Sequence, residues 1–215
     1  MLSLNCMNTI ENISVYQAPW IIIIVVLLYG VVHSVLATLK VKDMARLYLG
    51  IRADRTYRLF YNLIALLTFL PVLALLAILP DERLNSIPFP WVLLTTVIQG
   101  LAIITLFLGL LQTGLWSFLG IKQLFLLSKE PQTELVVHGL YRRVRHPLYM
   151  AGLLFIWFSS VMTHNTLAMT VGLSVYLILG ALVEERKLIH EYGAKYMQYQ
   201  EHTPMLVPVK IRVRK

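Results

Sequence analysis

The stretch RRVRHPLYMAGLLFIWFSSVM, from Arg142 to Met162, changes abruptly from positive charge to apolar side chains. Three arginines and a histidine stand before Pro147, and an apolar run follows it. Proline suits the first turn of a helix, because its missing N–H would have no partner there. The stretch therefore predicts a membrane-embedded helix that begins near Pro147 and is preceded by basic residues at its N-terminal end.

The composition of the chain is that of a membrane protein. Of the 215 residues, 58% are hydrophobic and 14% are charged, whereas a soluble domain carries about a quarter charged residues. A helix needs about 20 apolar residues to cross a bilayer. Five apolar runs fit this pattern: Ile21–Leu39, Leu59–Leu79, Trp91–Leu111, Tyr149–Met162 and Thr166–Val183. The last two are short and adjacent. The sequence thus predicts an all-α, polytopic membrane protein with five transmembrane helices, the last two forming a short helical hairpin.

Lysine and arginine follow the positive-inside pattern. The loop after the first run has six of them, residues 112–148 have five, and the tail after Val183 has seven, which leaves only Arg83 elsewhere. The pattern predicts that the N-terminus lies outside and the C-terminus in the cytoplasm. It also explains the net charge of +8 and favours membrane lipids, with their anionic headgroups, over nucleic acid as a partner.

The chain has no linker or repeat that would divide it, so we expect one domain over residues 1–215. Residues 21–111 contribute three spans, and residues 112–215 contain most of the polar groups. The single cysteine, Cys6, cannot form an internal disulfide, and no Cys/His spacing indicates a metal site.

The polar residues around the fourth run could bind an anion. Free N–H groups at a helix N-terminus and the helix dipole favour negative charge, and Arg145 and His146 stand at that terminus. A carboxylate or phosphate group could dock there. The alternative is that these residues only anchor lipid headgroups.

Two further pairs of polar residues each allow two interpretations. Glu184 and Glu185 close the fifth run and either form salt bridges with the arginines or bind a cationic ligand. His33 and Ser34 lie within the first run and either make interhelical hydrogen bonds or line a site. The amphipathic tail, with its three tyrosines, is either an interfacial helix or a cap over a ligand.

Together these pieces resemble a known pattern. Gly139-Leu140-Tyr141, Arg145-His146-Pro147-Leu148-Tyr149, Glu184-Glu185 and Gly193-x-x-Tyr196-x-x-Tyr199 are similar to the motifs of the isoprenylcysteine carboxyl methyltransferase superfamily. LYGVVHSVLATLKVK and RTYRLFYNLIALL in the N-terminal half resemble its NnrU-like and methanethiol S-methyltransferase-like branch. The resemblance implies an integral-membrane enzyme that uses S-adenosyl-L-methionine.

The resemblance also implies which residues contact the cofactor at the cytoplasmic ends of the C-terminal helices. These are Glu134, Leu135, Val136, Tyr141, His146, Pro147, Leu148, Tyr149 and Glu184. The prenylcysteine enzymes carry an arginine four residues before the first glutamate, where this chain has Gly180. A prenylated carboxylate is therefore not the expected acceptor.

The sequence thus predicts methyl transfer to a thiol or carboxylate of a small or lipophilic acceptor, in a bacterial inner membrane with the active site facing the cytoplasm. His146, Arg145 and His33 are the candidate catalytic residues: Arg145 would hold the cofactor carboxylate, and His33 or His146 would assist as a base. The alternatives are a phospholipid methyltransferase or NADPH-dependent membrane reductase of related architecture, and a non-catalytic membrane scaffold.

Overall fold

The computed structural model describes residues 13–125 and 134–209. Cys6, Lys129 and the basic residues after position 209 lie outside the described residues. The helices are α1 (Ala18–Leu36), α2 (Leu39–Leu49), α3 (Ile51–Ile78), α4 (Trp91–Thr113), α5 (Leu115–Leu119), α6 (Ile121–Phe125), α7 (Pro147–Trp157), α8 (His164–Tyr192) and α9 (Ala194–His202). Two short strands, β1 (Arg83–Ser86) and β2 (Val161–Thr163), and a 3₁₀ turn at Gly139–Arg142 complete the described structure.

The described structure is mostly helical, as the all-α prediction implies, but it also contains a short two-stranded sheet. Four helices are long and apolar enough to cross a membrane: α1, α3, α4 and α8. Helix α7 has only 11 residues, or about 16 Å of length, against about 30 Å of bilayer hydrocarbon. The fourth predicted run therefore forms a shorter helix than a full span requires. It ends at Trp157, and Val161–Thr163 at the end of the same run pairs as a strand.

The fifth predicted run forms a longer helix than the predicted short hairpin would contain. Helix α8 has 29 residues and continues past the last apolar residues to Tyr192. It begins with a capping box, in which Thr163 and Thr166 bond each other's backbone N–H. It ends at Gly193, whose φ of 54° is a conformation that glycine adopts readily. Hydropathy marked the apolar segment, whereas the glycine marks the end of the helix.

The spans pack in two groups, which α7 joins through its contacts with α8. Helix α1 contacts α8 and α3, and α4 contacts α7. A Cβ at Gly30 would lie 2.9 Å from the Tyr176 ring, and one at Gly172 would lie 2.9 Å from Val26. Glycine at these two positions therefore lets α1 and α8 approach closely.

The strands tie one end of the helical bundle together. β1 pairs with β2 in antiparallel register, with Arg83 opposite Thr163 and Ser86 opposite Val161. A core cluster lies towards this end, formed by Ala18, Ile22, Val26, Val72, Leu79 and Ala168. We call this end of the bundle the strand end. The opposite end carries Glu185, and we call it the network end after the hydrogen-bond network that surrounds this residue.

Many large apolar side chains on the long helices are exposed, among them Leu28, Leu66 and Val97, each more than half exposed. Contiguous apolar surface on this scale is typical of a face that contacts lipid. Together with the four long apolar helices, this surface suggests an integral membrane protein.

Candidate active site at the network end

The most connected polar side chain at the network end is Glu185. Its carboxylate accepts two hydrogen bonds from the Arg145 guanidinium, Nε to Oε1 at 2.8 Å and Nη2 to Oε2 at 2.9 Å. It also accepts bonds from His146 Nε2 at 2.7 Å and the Tyr196 hydroxyl at 2.8 Å, and from the Gln200 amide. We call Arg145, His146, Glu185, Tyr196 and Gln200 the Glu185 network. The arginine and glutamate side chains are only 11% and 9% exposed.

The network fastens the C-terminal segment over the start of α7. Arg145 donates from Nη1 to the carbonyl of Thr203 at 2.6 Å and from its backbone N–H to the carbonyl of Pro204 at 2.9 Å. The backbone N–H of His146 donates to Met205 at 3.1 Å. The tail is thus held as a cap over the Arg-His-Pro turn.

The two motif tyrosines on α9 face inward. Burial, together with the hydrogen bond to the Glu185 carboxylate, raises the pKa of Tyr196. The Tyr199 hydroxyl donates to the backbone carbonyl of Tyr141, and burial raises the pKa of Tyr199 to about 12 although the Arg145 guanidinium opposes the shift. Both hydroxyls therefore remain protonated donors that hold α9 in place.

Glu184 lies on a different side of α8 and has different neighbours. Its side chain is 43% exposed, and its Oε2 is 3.7 Å from Nδ1 of His146. The Tyr149 hydroxyl is within hydrogen-bonding reach of the Glu184 carboxylate. Burial, followed by the negative charge of Glu184, raises the pKa of Tyr141 to about 12. Glu184 is thus surrounded by Tyr141, His146 and Tyr149, all three of which were predicted to contact the cofactor.

A cavity of about 600 Å³ opens between α1 and α8 next to Glu184, within the range of about 300–1,000 Å³ typical of small-molecule sites. Its walls are mainly aliphatic, from Val26 to Val35 on α1 and from Val175 to Val183 on α8. We call it the α1–α8 cavity. Its polar lining residues are His33, Ser34, Tyr61, Tyr149, Tyr176, Glu184 and Lys187.

His33 contributes to a group of aromatic rings beside this cavity. Its Nε2 is hydrogen-bonded to the hydroxyl of Tyr61 on α3. Its ring stacks on Tyr29 with 5.7 Å between ring centroids and meets the edge of Tyr176 at 5.9 Å. Ser34, the second polar residue that the sequence singled out, lines the same cavity and bonds the Tyr176 hydroxyl. His33 and Ser34 therefore make interhelical hydrogen bonds and also line a cavity; that this cavity is a functional site stays a prediction.

The remaining predicted contacts occupy several environments. Pro147 is buried at the first turn of α7, as its position before the apolar run predicted. Leu148 packs against α4 at Gly109. Glu134 is exposed, and Leu135 and Val136 are partly buried in an extended segment before the 3₁₀ turn.

Arg145 has its hydrogen-bond partners within the protein. The sequence assigned it to the carboxylate of a ligand, and that role stays a prediction; in the structure its guanidinium is bonded to Glu185 and to two backbone carbonyls. Losing these bonds would leave a buried carboxylate without its partner, which is costly. The salt bridge considered for the glutamate pair is thus made by Glu185.

His146 is also placed differently from the predicted base. It is 4% exposed, its Nε2 donates to Glu185, and it does not line the α1–α8 cavity. It therefore cannot reach an acceptor in that cavity directly. His33 does line the cavity.

Sequence reasoning missed four residues that the structure brings to these two places: Tyr61, Tyr176, Lys187 and Gln200. Tyr61 and Tyr176 are separated by more than a hundred residues in the chain, so no local motif links them. Among the residues that the structure describes, no group of three or more His, Cys, Asp or Glu side chains is placed to hold a metal ion.

Comparisons with known proteins find methyltransferases that resemble this chain. Residues 94–195 match the phospholipid methyltransferase family. The chain is 28% identical over 212 residues to methanethiol S-methyltransferase 1 of Bradyrhizobium diazoefficiens, an alignment that covers 94% of this chain and 70% of that protein. No solved structure shows significant similarity.

Two further relatives, also named methanethiol S-methyltransferases, match this chain over shorter stretches. The chain is 38% identical over 69 residues to the methanethiol S-methyltransferase of Pseudomonas deceptionensis, covering 32% of this chain and 26% of that protein. It is 31% identical over 96 residues to that of Mycobacterium tuberculosis, covering 43% of this chain and 39% of that protein. These two alignments thus span well under two thirds of the relatives they match.

The matches agree with the motifs in position and in kind. The family match includes Tyr141, the Arg-His-Pro turn and the glutamate pair, and the longest alignment extends the similarity through the N-terminal helices. The resemblance drawn from the motifs is therefore confirmed. The chain is a methyltransferase that is similar over residues 94–195 to the phospholipid methyltransferase family and, over most of its length, to a methanethiol S-methyltransferase.

Proposed function

We propose that the protein transfers a methyl group from S-adenosyl-L-methionine to the sulfur of a small or lipophilic thiol in the α1–α8 cavity. The observation that carries the proposal is the position of Glu184. This carboxylate stands at the junction between the cavity and the three motif residues Tyr141, His146 and Tyr149. The methyltransferases among its relatives suggest this type of methyl donor.

The side chains around Glu184 fit a cationic cofactor. S-adenosyl-L-methionine carries an ammonium and a sulfonium, and both are stabilised by a carboxylate and by the faces of aromatic rings. Glu184 supplies the carboxylate, and Tyr149 and Tyr141 supply the rings. Lys187, which lines the same cavity one turn further along α8, supplies a positive charge for the cofactor carboxylate. Lys187 thus takes over the role that the sequence had given to Arg145.

When bound, the cofactor supplies a methyl group on a positively charged sulfur, and that sulfur leaves as a neutral sulfide. The protein's part is to position the acceptor against the methyl group and to exclude water. Most of the cavity wall is made of aliphatic side chains from α1 and α8, several of them about half exposed, and in the proposed topology they face lipid rather than water. The tail, held down by the Glu185 network, covers the start of α7 beside Tyr149.

A thiol acceptor suits the cavity better than a carboxylate does. The charged residues in its lining are Glu184 and Lys187, and a carboxylate buried against the aliphatic walls would lack a cationic partner. Gly180 lies against the Tyr149 ring, where a Cβ would be 3.4 Å from Cε1. The arginine of the prenylcysteine enzymes, placed here, would extend into the cavity, so its absence leaves room for an uncharged acceptor. The relatives named methanethiol S-methyltransferases support the same choice.

A phospholipid is the second candidate acceptor, because the matched family is the phospholipid methyltransferases. A labelled-methyl assay separates the candidates: the purified protein in detergent is offered ethanethiol, a prenylcysteine and phosphatidylethanolamine. Transfer to ethanethiol supports the proposal, and transfer only to the lipid replaces it with the second candidate. Calorimetry with S-adenosyl-L-methionine tests cofactor binding independently. A protein that does not bind it is either a reductase, recognised by binding NADPH, or a scaffold.

The proposal includes the membrane topology. One domain would have five membrane-embedded helices, with α7 only partly crossing beside α8, the strand end outside and the network end in the cytoplasm of a bacterial inner membrane. The structure places Arg83 and the rest of β1 at the strand end, and the Arg-His-Pro turn at the other. Single cysteines at positions 10, 85 and 195, in a variant without Cys6, test this. Position 195 should react only from inside; its labelling from outside would reverse the orientation.

A further inference from the structure

Beside the α1–α8 cavity, His33 and Tyr61 form a pair whose hydrogen-bonding pattern can be assigned. The Tyr61 hydroxyl is bonded to Nε2 of His33, and both residues line the cavity. Among the described residues, Nδ1 of His33 has no hydrogen-bond partner, and it is shielded from solvent. The pair therefore has one internal bond and one unpartnered nitrogen.

The unpartnered nitrogen decides which atom of the pair donates. If Tyr61 donated to Nε2, the neutral imidazole would carry its proton on Nδ1, as a buried N–H without an acceptor. Buried N–H groups without a partner are rarer in proteins than acceptors without one. The favoured arrangement is therefore Nε2–H donating to the Tyr61 oxygen, with a bare Nδ1. In this arrangement the hydroxyl hydrogen of Tyr61 is free to point into the cavity.

We propose that the Tyr61 hydroxyl donates a hydrogen bond to the acceptor sulfur as a thiolate, and that His33 is the positioning residue that orients this hydroxyl. The inference rests on the proposed function and deepens it. Tyr61 is then a catalytic residue in contact with the acceptor. His33, predicted as a base, acts only through Tyr61, because its Nε2 already carries the proton and its Nδ1 is shielded.

The chemistry explains why such a donor is needed. A free thiol titrates near 8.5, so only a few per cent is ionised at neutral pH, and the thiolate is the nucleophile. The S–H proton passes to water as the thiol ionises. The thiolate sulfur forms a bond to the methyl carbon while the carbon–sulfur bond of the donor breaks and its electron pair stays on the donor sulfur. A hydrogen bond from Tyr61 lowers the pKa of the bound thiol and fixes the sulfur in position.

Within residues 13–125 and 134–209, the ionisable side chains that act on Tyr61 are other tyrosines. The titratable side chains packed near the pair are the phenols Tyr29, Tyr57, Tyr149 and Tyr176. The charged lining residues are Glu184 and Lys187. Glu184 is eight residues beyond Tyr176, about 12 Å further along the helix. The Tyr61 hydroxyl is therefore a neutral donor that can bond a thiolate at this depth.

The test compares Tyr61→Phe with Tyr29→Phe. Tyr29 packs on the same histidine but does not line the cavity, so its variant controls for the loss of a hydroxyl from the aromatic group. Losing a hydrogen bond to a charged group costs about ten- to a hundred-fold. We expect Tyr61→Phe to lower kcat/KM for ethanethiol by about that factor, and Tyr29→Phe to stay near wild type. Calorimetric affinity for S-adenosyl-L-methionine should be unchanged in both.

Two thiol acceptors of different acidity show whether the loss of activity in Tyr61→Phe comes from weaker stabilisation of the thiolate. 2,2,2-Trifluoroethanethiol ionises more readily than ethanethiol, so it depends less on help from the protein. The deficit of Tyr61→Phe should shrink with this thiol and should shrink for ethanethiol as the pH is raised. An equal deficit with both thiols at every pH would overturn the proposal. Lost cofactor affinity in Tyr61→Phe would also overturn it, and absence of cofactor binding in the wild type would instead contradict the proposed function.

Direct binding gives a readout that does not depend on turnover. Ethanethiol is titrated calorimetrically into the protein in the absence of S-adenosyl-L-methionine. The titration is repeated in buffers of different ionisation enthalpy, and the change in the observed binding enthalpy gives the number of protons released. Wild type should release protons as it takes up the thiolate, and Tyr61→Phe should release fewer. Equal release by the two proteins would contradict the assignment.

Variants of His33 separate positioning from base catalysis. Glutamine can present an amide N–H where Nε2–H stood but cannot accept a proton from a thiol at neutral pH. His33→Gln should keep most of the activity that His33→Ala loses, and the pH profile should keep its shape. If His33→Gln is as inactive as His33→Ala and the acidic limb of the profile disappears, His33 is the base and the proposal is wrong.

Discussion

Glu184 and Glu185 are neighbours in the chain, yet they belong to two different regions of the molecule. Glu185 is buried in a network in which a bidentate arginine, a histidine, a tyrosine and an amide all bond its carboxylate. Glu184 is 43% exposed and borders a cavity. Residues adjacent on a helix point about 100° apart, so one helix can present one carboxylate to the fold and the next to a ligand.

The largest expected effect is a loss of stability when the Glu185 network is broken. Arg145→Ala removes one partner of a buried ion pair and leaves Glu185 without its main donor, which typically costs about 3–5 kcal/mol. The free energy of unfolding in detergent, followed by circular dichroism, should fall by that amount. Arg143→Ala, two residues away and exposed, serves as the control and should stay within about 0.5 kcal/mol of wild type. Equal losses in the two variants would mean that the network contributes nothing specific.

The cavity side predicts a loss of binding without a loss of stability. Glu184→Gln removes a charge that we assign to the cofactor, so S-adenosyl-L-methionine should bind at least about tenfold more weakly. The unfolding temperature should remain close to that of wild type, because Glu184 lies outside the Glu185 network. Glu185→Gln should show the reverse pattern, with lower stability as its primary defect. If both variants lose affinity in equal measure at equal stability, the division of roles between the two glutamates is wrong.

A smaller change within the network tests how much each donor to Glu185 contributes to the free energy of unfolding. Tyr196→Phe removes one of several donors to Glu185 and leaves the arginine in place. Because the carboxylate keeps its other bonds, the free energy of unfolding should fall by about 1 kcal/mol. A loss as large as that of Arg145→Ala would show that the hydroxyl, rather than the guanidinium, organises the network.

The smallest expected effect is a change in alkaline stability. A tyrosine whose pKa is raised by folding keeps its proton after the unfolded chain has lost it, so its contribution is present below pH 10 and is lost as pH rises. For Tyr199, with its pKa raised to about 12, that loss falls between about pH 10 and 12. Tyr199→Phe should therefore lose stability less steeply than wild type in this window. Parallel curves for the two proteins would contradict the burial of this hydroxyl.

Much of the fold follows from local signals in the sequence. The apolar runs gave α1, α3 and α4 to within a few residues at most ends, because burial in lipid requires long apolar segments whatever their neighbours are. Pro147 marked the start of α7 for a local steric reason. The end of α8 was placed too early, because hydropathy does not distinguish the end of an apolar segment from the end of a helix.

The site was predictable only in part. The motifs singled out Tyr141, His146, Tyr149 and Glu184, and these side chains are neighbours in the structure; their role as cofactor contacts stays a prediction. The partner of Arg145 could not be chosen from the sequence, because the rotation of α8 about its own axis depends on packing. No local sequence motif singles out Tyr61 as a site residue. Its proximity to His33 depends on how α1 and α3 cross, which the sequence does not reveal.

The close contacts at Gly30 and Gly172 set how near α1 and α8 can come to each other along the wall of the α1–α8 cavity. A Cβ at Gly30 would lie 2.9 Å from the Tyr176 ring, and one at Gly172 would lie 2.9 Å from Val26. Gly30 itself lines the cavity. A bulkier residue at either glycine would therefore push the two helices apart and change the width of the cavity without changing any of its polar lining residues.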